Sequence, residues 1–136
     1  MELVELIGRL LFAAIFVMSG ATIHLLKWRE GVEYARGNAV PAPELLVPLS
    51  GVMAVGGGLL VALGIWADLG ALVLAAFALP VAYFMHAFWK LDDPMMRSNQ
   101  QAHFMKNVSM AGAALALFAL YRDVADDLWM ITGPLF

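Results

Sequence analysis

His86 and His103 flank a short polar turn that carries Trp89, Lys90 and Arg97, Lys106 and Asn107 follow just beyond it, and His24 is the only other imidazole in the chain. Imidazoles can ligate a metal, relay a proton, or hydrogen-bond to the polar head of an amphiphile. Metal binding is the poorest match, because no histidine forms the i, i+4 pair with a second ligand that a helical zinc site uses. No metal site is expected, and histidines on separate helices carry no haem motif. Ser19, Ser50, Ser98 and Ser109 lack a base and an acid at useful spacing, so no catalytic residue is assigned. A pocket for an amphiphile's head needs an aromatic wall and one or two donors at headgroup depth. Phe88 and Trp89, with Phe84 nearby, could form the wall; His86, Lys106 and Asn107 are the donors, and His24 joins them from the first helix. No cofactor is intrinsic to such a site, although a quinone would suit it. The bend expected at Pro80 should tilt His86 inward, with Asn107 its expected partner.

These residues must be positioned by membrane helices. The chain of 136 residues is 62% hydrophobic and only 14% charged, with a mean hydropathy of +0.80. Soluble domains are nearer a quarter charged, and so apolar a chain fits a bilayer instead. The expected class is all-α, an integral membrane antiparallel four-helix bundle forming a single domain over residues 1–136. Spans are expected near 6–26, 45–66, 69–89 and 103–121, with a tail over 122–136 too short to cross and lying at the interface. Glu2 and Glu5 replace the basic start of a signal peptide, so the first run reads as a retained helix. The absence of cysteine excludes thiol redox chemistry, disulfides and thiolate ligands. The nine methionines read as packing.

Within the first span, Glu5 and Arg9 share a helical face as an acid-before-base pair. Arg9 is close enough to the helix end to snorkel, so it should contact lipid headgroups or a partner. Residues 27–44 are polar and broken by Gly31, Gly37, Pro41 and Pro43, which argues against a long rigid helix. Pro48 should fall in the first turn of the second span, where a missing N–H matters little. Ser50, Ala54, Gly58 and Ala62 recur every four residues and form a packing stripe. Only Ala67 and Asp68 separate spans two and three, so these should pair as a hairpin and pack most tightly. Gly56-Gly57-Gly58 is no phosphate loop, since neither a strand nor a Lys-Ser/Thr accompanies it.

Lys27, Arg29, Arg36, Lys90, Arg97 and Lys106 belong to the two loops after spans one and three, against Arg9 and Arg122 on the other side. The positive-inside rule then places both termini outside and the histidines at the cytoplasmic face. Net charge of −3 gives no reason to expect nucleic acid.

The order of short motifs resembles the DoxX family of small four-helix membrane proteins. The matching pieces are Gly8-Arg9, Ser19-Gly20, Gly57-Gly58, His86-Ala87-Phe88-Trp89, Asp93-Pro94 and Phe104-Met105-Lys106-Asn107, spread from about Gly8 to Leu120. The resemblance implies a multi-pass protein of a prokaryotic plasma (inner) membrane, associated with quinol-oxidising or thiosulfate–quinone systems or with oxidative-stress complexes. The sequence departs from the family pattern at Ala54, where many relatives carry a glutamate, and at Ala67-Asp68, where many carry a basic residue. An intramembrane carboxylate would be the natural proton carrier, and position 54 supplies none. Three function classes follow: a small, non-catalytic subunit or accessory protein of a redox-linked membrane complex, a quinone-binding oxidoreductase component, and a non-redox lipid or small-solute receptor or carrier. The expected company is the bilayer and a protein partner, with self-association left open.

Overall fold

A computed structural model describes residues 2–124 and 128–136. It is 83% helical, with no strand among the described residues. Four helical spans are long and apolar enough to cross a membrane: Glu2–Leu26, Pro43–Leu63, Ala67–Lys90 and Pro94–Val124.

The first span is α1 (Glu2–Ser19), which passes without a break into a π-helical segment, Gly20–Leu26. A five-residue bond from the Lys27 amide to the Thr22 carbonyl, 3.0 Å, closes that segment. A short amphipathic helix, α2 (Trp28–Gly37), follows. It buries Val32 and Ala35 against Val47, so the polar stretch carries a two- to three-turn helix that stops at Gly37 and not one long rigid helix. Its last turn is held by the Asn38 amide, which donates to the Tyr34 and Ala35 carbonyls. Arg36 is paired with Glu33 and, across the following turn, with Glu44.

α3 (Pro43–Leu63) begins with a proline in its first turn. Pro48 therefore lies inside the helix, beyond the first turn where the sequence placed it. The small-residue stripe, expected to let spans two and three approach closely, faces the first span instead. A Cβ on Gly58 would lie 2.7 Å from Val17 Cγ2, and one on Gly20 would lie 2.9 Å from Ala54 Cβ. The stripe packs on the first span, Gly58 against α1 and Ala54 and Ser50 against the π-helical segment that continues it. α4 (Ala67–Met85) approaches α3 through another small pair, with a Cβ on Gly57 falling 3.1 Å from the Gly70 carbonyl.

The most extensive helix contact is between α4 and α5 (Pro94–Val124), not between spans two and three. Length decides this: α5 has 31 residues and starts well before His103. The Asp93 side chain accepts from the Met96 amide at 2.8 Å, and the Asp93 carbonyl accepts from the Arg97 amide. An aspartate cap followed by proline at the first helical position is a strong helix start. Ala13, Phe16, Ala54, Val61, Ala71, Leu74, Phe77, Ala78, Ala111 and Ala114 fill the middle of the bundle, all apolar.

At the end holding the N-terminus, residues 128–136 fold back over the helices. The Ile131 and Thr132 amides donate to the Gly64 carbonyl, and the Trp66 amide donates to Thr132 Oγ1. Asp68, with 0% exposure, accepts from the Leu135 and Phe136 amides at 2.9–3.0 Å. Arg9 is 4% exposed and donates to the Trp129 carbonyl and to Met130 Sδ, with Glu5 3.6 Å away. Arg9 thus binds its own chain rather than lipid or a partner, because the returning tail offers acceptors that water or headgroups would otherwise supply. Gly64 makes the crossing feasible. It sits at φ +66°, and a Cβ there would lie 2.7 Å from Met130 Sδ. Residues 125–127, part of the sequence-predicted tail, lie outside the described residues.

Candidate functional site

The opposite end is built differently. His24 lies on the π-helical segment, eight residues beyond the core residue Phe16. Regular α-helical geometry would set the two about 80° apart around the axis. The wider π turn absorbs the extra residue, and both rings pack on Phe77, with centroids 6.0 Å (Phe16) and 5.5 Å (His24) away. Such π turns often mark functional positions. His24 Nδ1 is 2.8 Å from Ser50 Oγ, whose single proton goes to the Val47 carbonyl at 2.7 Å. With that hydroxyl donating to Val47, Ser50 accepts from the imidazole, whose proton then sits on Nδ1 and leaves a lone pair on Nε2 of the neutral ring.

α4 stops at Met85, and His86 leaves the helix at φ −127°, ψ 40°. Its Nδ1 lies 2.7 Å from Gln100 Oε1, an acceptor, so this ring also carries its proton on Nδ1. The expected partner, Asn107, instead donates to the His103 carbonyl at 3.0 Å. The reason is the early start of α5: its extra turns bring Gln100 level with His86, while Asn107 sits two turns deeper. His103 stacks on His86 with ring centroids 5.2 Å apart, and Lys106 Nζ lies 3.5 Å from His103 Nδ1.

Four of the six pocket residues expected from the sequence line one cavity of about 230 Å³: His24, His86, Lys106 and Asn107, together with His103 and Ser19. Phe88 and Trp89 do not line it. They form a short 3₁₀ turn and pack on Phe104 at 5.5 and 5.6 Å, with Tyr83 against Trp89 at 5.7 Å. The walls are Phe16, Phe77 and Val81 instead. A second cavity, about 510 Å³, continues from His24, Val81 and His86 toward Lys27 and, on α2, Glu30 and Tyr34. A third, about 170 Å³ and almost wholly apolar, runs from His24 and Val81 between α3 and α4 past Met53, Ala76, Pro80 and Phe84. Ser50, His103 and Gln100 complete the site and went unassigned to it in the sequence. The i, i+3 register of Gln100 and His103 on one helix face was the available signal.

No group of three or more His, Asp or Glu side chains converges in metal-binding fashion among the described residues. The DoxX family model matches residues 4–87, more than half of the chain. No curated protein and no solved structure matches it.

Proposed function

The chain belongs to the DoxX family, a family linked to membrane redox and stress roles, and on that premise we propose that it is a small, non-catalytic membrane subunit of a redox-linked complex. The observation that supports this reading is the apolar middle of the bundle. Between the histidine end and the Arg9 end, the buried layer consists of Ala, Val, Leu and Phe side chains among the described residues. Moving a proton or ion through the bilayer requires polar groups at depth, and this layer offers none in series. The polar side chains at the histidine end pair in twos and those at the Arg9 end bind the chain's own tail, so a redox reaction at one membrane face needs a partner to complete it. The histidine end faces the cytoplasm of a prokaryotic cell in this reading, on the balance of six basic residues against two.

Purification from native membranes in mild detergent tests the proposal. A stoichiometric oxidoreductase should accompany the chain, and the chain alone in liposomes should collapse no imposed proton gradient. Recovery as a lone species with proton flux of its own overturns it. A second reading, a quinone held by the chain itself, is favoured by the cavity that joins His24, His86 and Lys106. Retained quinone in a lipid extract of the purified protein distinguishes that reading.

A further inference from the structure

We infer that the histidine end binds one single-chain amphiphile, whose head offers a hydroxyl donor beside an oxygen acceptor and whose chain lies in the groove between α3 and α4. This site does not depend on membership of a complex. Three features of the cavities carry the inference.

The first is their connection. The polar chamber, about 230 Å³, and the apolar groove, about 170 Å³, both include His24, Phe77 and Val81 in their walls. A ligand with a head in one and a chain in the other passes a single junction. The groove's outer rim is Leu46 and Leu49, and Leu49 is 46% exposed. It therefore opens sideways toward hydrocarbon, which gives a chain a route in without crossing water. At about 170 Å³ the groove admits the near part of one chain, the rest extending through the lateral opening into hydrocarbon.

The second feature is the protonation pattern. His24 and His86 both spend Nδ1–H on internal acceptors, Ser50 Oγ and Gln100 Oε1. Each neutral ring is left with Nε2 as an acceptor only. Lone pairs on two rings call for a ligand that donates, and a hydroxyl is the donor compatible with a lipid-soluble head.

Thirdly, the same chamber holds a complementary donor. Lys106 Nζ contacts His103 Nδ1, and as an ammonium it can only donate. His103 then has its proton on Nε2, a second donor. No carboxylate lines this chamber, so an oxygen acceptor on the head meets donors without repulsion.

Two matched pairs of probes test this on the full chain in nanodiscs, read by native mass spectrometry and competition. Decylhydroquinone and decylbenzoquinone share a ring and chain but differ in hydroxyls; 1-monooleoylglycerol and methyl oleate share a chain and differ in the same way. The hydroxylated member of at least one pair should bind at one per chain, about tenfold tighter than its partner. Which pair does so distinguishes a ring head from a glycerol head. Leu49→Trp, on the lipid-facing rim, should cut occupancy while leaving thermal stability unchanged; Val81→Trp should block the junction. Lys106→Met should weaken the hydroxylated probe without abolishing the difference within its pair, because the histidine acceptors remain. Equal binding within both pairs, no binding by any probe, or full occupancy in Leu49→Trp and Val81→Trp overturns the inference.

Discussion

The two ends of the bundle use polar residues in opposite ways. At the Arg9 end, charged groups are buried and tied to the chain's own backbone. Asp68 holds two tail amides, Arg9 holds a tail carbonyl, and the Gly64 carbonyl takes two more amides. At the histidine end, polar groups pair off in twos, His24 with Ser50 and His86 with Gln100, and leave cavities between the pairs. The first arrangement closes the bundle, and the second keeps it open. The difference follows from what each end is given to fold with. A returning backbone segment supplies many donors and acceptors in fixed register, whereas side chains from separate helices meet in pairs and leave space around them. Even the closed end holds unspent groups: the Glu5 carboxylate oxygens, Arg9 Nε and the Tyr121 hydroxyl have no hydrogen-bond partner among the described residues. Buried groups of this kind usually take ordered water.

If the contrast is real, stability and binding should separate by end. The largest effect is expected for Arg9→Met, which leaves the Glu5 carboxylate buried without its counter-charge and unhooks the tail. Thermal or denaturant unfolding in detergent should show a loss of about 3–5 kcal/mol. Asp68→Ala should follow, at about 2–3 kcal/mol, since it strands the Leu135 and Phe136 amides. Hydrogen exchange should speed at those two residues first; uniform exchange across the chain would contradict a local strap. Gly58→Leu should cost about 1–3 kcal/mol by forcing α1 from α3, whereas Gly56→Ala, with nothing within 4 Å of its Cβ, should be near neutral. His86→Ala should cost less than the Arg9, Asp68 and Gly58 changes, at about 1 kcal/mol for one lost hydrogen bond, with its main effect on ligand occupancy. Were His86→Ala to destabilise as much as Arg9→Met, the histidine end would be structural too. Cysteines at Asn38 and Asn99 should change stability least of all. They should label in intact cells only with a permeant reagent, and labelling by an impermeant one reverses the orientation.

The four spans were legible because hydropathy is a local sum over about twenty residues, and each run carries enough of it by itself. The hairpin was legible for a similar reason, since a connection of a few residues leaves the chain no other course, but the joint is the three residues 64–66, and Ala67-Asp68, expected to form it, open α4 instead. The start of α5 was also written locally, in Asp93-Pro94, but lay masked by the polar composition of residues 95–101. Much of the site was visible as residue types at one depth. The pairing of His86 with Gln100 rather than Asn107 was not, because it depends on where α5 begins and how far it runs beside α4.

Residue types and their order determined that this is a four-span membrane chain with its histidines at one end and its acidic tail at the other. Tertiary structure alone decided what the polar residues do there. Asp68 and Leu135 are 67 positions apart, and Arg9 and Trp129 are 120 apart, so no local pattern can announce that they meet. His24 turns inward because a π segment shifts its phase against α3 and α4, a displacement the period of the sequence does not encode. The small-residue stripe shows the same division. Its spacing fixed that α3 packs closely on some helix, and only the angles at which four helices close around one core decided that the helix is α1.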